Sequence, residues 1–187
     1  MNKLLYGNLT MIFCSLFYLA WWLVAFKPGA EPNHTVTRLL LGAAFAVGIV
    51  SVFIFQSGFG SLKTTRSLFP GHSLLWGGIL VYIALLVITN LALHRMVTTE
   101  LALIVAWTAL ELAVISGIYG TEKMTLVTAA VLSVMTAAAA VLSMVCYLLY
   151  YNLPEKAGYI DGAVPLVTVA AAMAVIDITV LIISNKA

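Results

Sequence analysis

Six stretches of this chain stay apolar for long enough to cross a lipid bilayer: roughly Leu4–Phe26, Leu39–Phe55, Leu74–Leu93, Leu101–Tyr119, Met124–Leu153 and Pro165–Ser184. A helix crossing the hydrocarbon core needs about 20 apolar residues, with a range near 17–25. No water completes a backbone hydrogen bond at that depth, so only helices and closed barrels span. These runs are continuous rather than alternating, which argues against barrel strands. The expected fold is therefore an all-α membrane protein with six transmembrane helices, and residues 1–187 form a single polytopic domain. The fifth run is the longest and must tilt or extend past the bilayer at one end.

Composition agrees. The chain is 63% hydrophobic and 9% charged, against about 25% charged residues in soluble domains, which leaves no length for a separate soluble domain. The net charge of +2 is scattered and forms no basic stripe of the kind nucleic acid requires. Cys14 and Cys146 lie inside apolar runs, where free cysteine behaves as a small apolar packing residue. No CxxC or Cys/His spacing points to a metal, and no cofactor is expected. The first run is 23 residues long, beyond the 7–15 or so of a signal-peptide core, and no small-residue cleavage site follows it. It reads as a retained span. Asn8-Leu9-Thr10 and Asn33-His34-Thr35 match glycosylation sequons, the first in or beside a span. A phosphate loop, a nucleophile elbow and an HExxH pair are all absent, so no enzyme activity is expected.

Proline and glycine mark the connections. Lys27-Pro28-Gly29 ends the first run, Gly58 and Gly60 open a polar stretch through Lys63, Arg66, Pro70 and Gly71, and Pro154 and Gly158 end the fifth. With an even number of spans, Lys3, Lys63, Arg66, Lys123 and Lys186 share one side, and Lys27, Arg38, Arg95 and Lys156 the other. The positive-inside rule then leans toward cytoplasmic termini, in a cell membrane. Tyr147, Tyr150 and Tyr151 suit an interface, where amphipathic rings collect.

Two carboxylates break the apolar pattern. Glu111 is the eleventh of the nineteen residues Leu101–Tyr119, and Asp177 is the sole charge between Gly162 and Ser184. A charge at mid-bilayer depth costs about 2.5–3.5 kcal/mol on insertion scales, so such residues usually face a bundle interior, a partner or an aqueous path. No lysine or arginine lies inside any span to neutralise them. The pair is expected to respond to a proton or a cation. For Asp177 the alternative is structural, an acid holding two helices together through a serine, threonine or tyrosine hydroxyl.

Glu100 and Glu111 are eleven residues apart, which returns them to nearly one helix face, about 16 Å apart along the axis. Ile104 and Trp107 lie on the same stripe. An outer acid at Glu100, an aromatic constriction at Trp107 and deep acids at Glu111 and Asp177 together make a candidate path for a solute or proton. Each also has a plainer reading: Glu100 as a helix-start residue, Trp107 as packing. Ala170 and Ala174 beside Asp177, and the alanines of the fourth and fifth runs, suit close helix approach. The serines and threonines of the spans are expected to bond across helices or to their own backbone.

An internal repeat is also suggested. Tyr18, Tyr82 and Tyr147 each begin a similar five-residue stretch in an odd-numbered span, and Glu111 follows Tyr82 by 29 residues while Asp177 follows Tyr147 by 30. The corresponding first-hairpin positions are Val47 and Gly48. This gives three helical hairpins around a central axis, with acids at equivalent places in two.

Six spans, three hairpins, the opening Leu4-Leu5-Tyr6-Gly7 and the third-span Leu74-Leu75-Trp76-Gly77 resemble the amide and urea channel family. That resemblance implies a homo-oligomer with a pore in each protomer for small neutral amides. It stops at the filter: Met124–Leu153 contains no tryptophan, Glu111 has no counterpart there, and no filter residue carries over.

The leading expectation is a small transporter or channel for a small polar or cationic solute, proton-linked through its intramembrane acids. One alternative is the substrate-binding subunit of a multi-part vitamin importer. Another is a non-transporting subunit whose acids bind a partner membrane protein or a lipid headgroup. The expected partners are the lipid bilayer, a small solute, and either further copies of the chain or another membrane subunit.

Overall fold

The computed structural model describes residues 2–29, 31, 33–63, 65–68, 77, 80–81, 83–85, 87–88, 90–91, 99–152, 159 and 162–185. Five long helices stand among them: α1 (Asn2–Ala25), α2 (His34–Gly60), α3 (Thr99–Gly120), α4 (Leu126–Asn152) and α5 (Val164–Asn185). Each is long and apolar enough to cross a membrane, and no strand occurs among the described residues. The chain is an all-α membrane protein. The described residues between 77 and 91 are helical; the rest of the expected third span, Leu74–Leu93, lies outside the described residues, as do Tyr82, Trp76, His94 and Arg95.

Helix ends follow local backbone chemistry rather than the edge of the apolar run. The second helix starts at His34, five residues before the expected Leu39. The Asn33 side-chain oxygen accepts from the backbone N–H groups of Thr35 at 3.1 Å and Val36 at 3.3 Å, satisfying two donors that the first turn leaves free. It ends past Phe55 at Gly60, where the Ser61 N–H donates to the Gly58 carbonyl at 3.1 Å and the Leu62 N–H to the Phe59 carbonyl at 3.2 Å. Thr125 caps α4 by accepting from the Thr128 N–H at 3.2 Å, which places the start after Met124. Pro165 sits in the first turn of α5, where its missing N–H leaves no helical bond unmade.

Helix α1 packs against α2 and α5, and α4 packs against α3 and α5. One layer of the core joins Leu4 of α1, Phe55 of α2, Val114, Ile115 and Ile118 of α3, Ala129 and Leu132 of α4, and Ile176 and Val180 of α5. This layer contains the start of α1 and α4 together with the ends of α2, α3 and α5. Helices α1 and α4 therefore run away from this end and α2, α3 and α5 run toward it, and Asn2 and Asn185 lie toward that end. The stretch after α2 fastens there. Thr65 donates its N–H to the Gly120 carbonyl at 3.0 Å and its hydroxyl to Glu122 Oε1 at 2.9 Å, and Arg66 Nε lies 3.6 Å from the same carboxylate.

The opposite end is aromatic. Trp22 stacks on Phe26 at 4.4 Å and meets Tyr150 edge-on at 5.1 Å. Its Nε1 donates to the Tyr159 carbonyl at 3.3 Å, while the Tyr159 hydroxyl donates to the Leu23 carbonyl. Tyr147 departs from the interfacial expectation. It is buried against Leu101 and Ile104 of α3, because its position on α4 turns toward the start of that helix. The Tyr151 side chain lies outside the described residues.

The outward surface is apolar: Leu39, Phe45 and Phe53 of α2, and Val127, Val131 and Val134 of α4, are exposed. In water such a surface would drive association; in a bilayer it is the face that meets lipid.

The tightest helix contact is α1 on α2. A Cβ at Gly7 would lie 2.9 Å from the Phe55 ring, and one at Gly58 would lie 2.7 Å from Leu4 Cδ2. The close approach lets Ser51 donate its hydroxyl to the Gly7 carbonyl at 2.9 Å. Gly42 of α2 has open space at its Cβ position. Gly7→Val is expected to lower stability by about 1–3 kcal/mol through overpacking, whereas Gly42→Ala is expected to be neutral or slightly stabilising. Thermal unfolding of the detergent-solubilised protein measures both, and equal Tm values for Gly7→Val and wild type would contradict the close contact.

Candidate functional site

Leu4, Asn8, Ser15 and Trp22 are buried along α1, a stripe at helical spacing that turns one carboxamide toward the bundle centre. Helix α3 is the most enclosed of the five, and its buried face carries Ile104, Trp107 and Glu111 in succession. The stripe expected from spacing is thus an inward face. Helix α5 contributes Asp177, partly buried, between the buried Met173 and Val180.

Three helices meet at these side chains. Asn8 Nδ2 donates to Glu111 Oε2 at 3.2 Å, and both residues have 0% exposure. Asp177 also interacts with the Asn8 side chain, and the two carboxyl groups interact electrostatically. Glu111 and Asp177 therefore form one site that shares the Asn8 side chain. Trp107 lies one helical turn from Glu111 and packs in a cluster with Ala139 and Ala140 of α4, Ala172 and Met173 of α5, and Met11 and Ile12 of α1. Met173 is one turn from Asp177, and Met11 and Ile12 are one turn from Asn8, so the indole borders the acids.

Glu100 is the second residue of α3; its side chain lies outside the described residues, and so does any path from it to Glu111. Spacing alone overlooked Asn8, which reads as one polar residue among several and as part of a sequon. The available signal was its type: a carboxamide deep in an apolar run has two donors and an acceptor that one helix cannot satisfy. Its full burial against Glu111 also removes Asn8-Leu9-Thr10 from the surface position a glycan needs.

The hydroxyls behave differently. Thr108 donates to the Ile104 carbonyl at 2.7 Å, Ser133 to Ala129 at 2.8 Å, Thr136 to Leu132 at 2.9 Å, Ser143 to Ala139 at 2.7 Å and Thr179 to Val175 at 2.7 Å. Each bonds to its own helix one turn back, as span hydroxyls can.

Four buried side-chain atoms lack a hydrogen-bond partner among the described residues: Asn8 Oδ1, Trp107 Nε1, Glu111 Oε1 and Asp177 Oδ1. Three belong to the Asn8, Glu111 and Asp177 group, and the fourth is the indole N–H one helical turn from Glu111 on α3. Among the described residues no group of three or more histidine, cysteine, aspartate or glutamate side chains is arranged to hold a metal ion.

No protein-family model matches this chain, and comparisons with curated proteins and with solved structures give no match either. The reading of the site rests on its own geometry.

A double-mutant cycle tests the Asn8–Glu111 contact. Asn8→Ala and Glu111→Ala are each expected to shift the unfolding midpoint in detergent, and the two changes are expected to be non-additive by about 0.5–3 kcal/mol, the usual range for residues in contact. Strict additivity would contradict the hydrogen bond.

Proposed function

We propose that this protein is a six-span transporter or channel of the cell membrane that moves a small polar or cationic solute, linked to protons through Glu111 and Asp177. The observation that carries this reading is the convergence of both acids on Asn8, with unsatisfied hydrogen-bonding capacity concentrated there. Two carboxyl groups brought together away from water repel one another when both are charged. A proton or a cation at the pair offsets that repulsion, and exchange between the two provides a means of coupling. Trp107 borders the same place and can present its ring to a cation.

Helix direction supports the sixth span. The ends of α2 and α3 lie together, since Thr65 bonds to Gly120 and a Cβ at Gly117 would lie 3.1 Å from Leu62. Helix α3 begins at the far end, where Leu101 and Ile104 pack against Tyr147. The chain between Gly60 and Thr99 has to return across the bundle, and a crossing over the stretch Leu74–Leu93 supplies that return. Each acid then lies in an even-numbered span, as the three-hairpin arrangement requires.

The test is solute-driven proton movement in liposomes containing the purified protein and an internal pH dye. At least one of urea, methylammonium and ethanolamine is expected to change the internal pH at a rate above that of empty vesicles. Glu111→Gln with Asp177→Asn is expected to bring that rate down to the empty-vesicle level. Absence of any protein-dependent flux, of solute or proton, would overturn the transport reading.

A further inference from the structure

The four unpaired atoms have a composition of their own. Three are acceptors: Asn8 Oδ1 on α1, Glu111 Oε1 on α3 and Asp177 Oδ1 on α5. One is a donor, the Trp107 indole N–H, one turn from Glu111 toward the aromatic end of the bundle. Buried polar groups in native proteins are overwhelmingly paired, and each one left unpaired costs about 1–3 kcal/mol, or more when charged. Three acceptors on three helices, with an indole N–H one turn away on α3, make a pattern of demand that specifies what would satisfy it.

From this pattern we infer that the site binds a small primary ammonium compound that also carries a hydrogen-bond-accepting oxygen. The inference deepens the transport reading and rests on the same four residues. An ammonium group has three N–H donors and no acceptor. It matches three acceptor oxygens, and its charge offsets the two acids. The Trp107 N–H needs an acceptor, which a hydroxyl or ether oxygen on the ligand supplies. The indole also forms an apolar and cation-attracting wall with Ala172 and Met173 beside it. Anions are disfavoured by two carboxylates with no lysine or arginine inside the expected spans. A quaternary ammonium has charge but no N–H, so it leaves all three acceptors unpaired. A neutral amide such as urea has donors and an acceptor but leaves the repulsion between the acids in place.

Isothermal titration calorimetry on the full detergent-solubilised chain separates these classes, using ethanolamine, ethylamine, tetramethylammonium and urea as probes. Ethanolamine is expected to bind most tightly, ahead of ethylamine by roughly threefold to tenfold for the one added hydrogen bond. Tetramethylammonium and urea are expected to give no saturable heat. Trp107→Phe is expected to abolish the preference for ethanolamine over ethylamine while retaining binding of both. Asp177→Asn is expected to weaken both at least tenfold.

The ligand panel on the wild-type chain decides the class without any variant. Tetramethylammonium binding as tightly as ethylamine would show that charge suffices and overturn the proposal. So would urea binding as tightly as ethanolamine, and so would no saturable heat from any amine, which would leave water or a proton as the occupant. Flux of another solute without amine binding sinks the ligand class and leaves transport standing; amine binding without flux does the reverse.

Discussion

A polar atom carried into a bilayer has no solvent to return to, and in this chain the Asn8–Glu111 hydrogen bond answers that constraint at the centre of the bundle. Glu111 cannot face lipid without a cost of several kcal/mol, which favours the enclosed position of α3. Asn8 must then face inward on α1. That phase of α1 also turns Leu4 into the shared apolar layer and sets Gly7 against Phe55. The close fit of α1 on α2 and the position of the acids are thus two consequences of one helix orientation. The partner is a neutral amide rather than a lysine or arginine, so it satisfies one carboxyl oxygen without cancelling charge. Whatever charge the pair carries stays available to a mobile ion.

The fold was legible in the apolar runs because span length and continuity report directly on the medium. Glu111 and Asp177 were legible for the same reason, since a lone acid in such a run has few places to go. Helix ends were less so. Apolarity marks where a helix enters hydrocarbon, but Asn33 and Thr125 start helices by capping, which works equally well in the interface. Convergence on Asn8 was not legible, because spacing within one helix carries no information about rotation relative to another. The repeat between Tyr82 and Tyr147 placed the acids at similar depths without saying that they meet. Asn8 was hidden by its length of side chain: it reads as a minor polar residue until a partner 103 positions away is brought within 3.2 Å.

The contrast between hydroxyls and the other polar side chains explains where unused hydrogen-bonding capacity gathers among the described residues. Thr108, Thr136 and Ser143 are deep in their helices, yet each gives its one donor to a carbonyl four residues back. These three hydroxyls are self-sufficient in their helices, whereas Ser51 of α2 donates across to the Gly7 carbonyl of α1. A carboxamide or carboxylate has more hydrogen-bonding capacity than the local backbone can absorb, and an indole N–H points too far from its own helix to use it. The residues with surplus capacity are Asn8, Trp107, Glu111 and Asp177, and the packing of α1, α3 and α5 gathers that surplus.

This bears on the choice between a structural and a ligand-binding role for the acids. Acids that serve only to hold helices together are stabilising to the extent that their capacity is used up inside the protein. Here Thr108 lies one residue beyond Trp107 on α3 and yet donates to its own helix. Asn8 donates to Glu111 and leaves its oxygen unpaired beside two carboxyl groups. A site arranged for adhesion would close these valences, since each open one weakens the joint it is meant to strengthen. Among the described residues three acceptors and one donor stay open, and those are the valences the proposed ammonium ligand would meet.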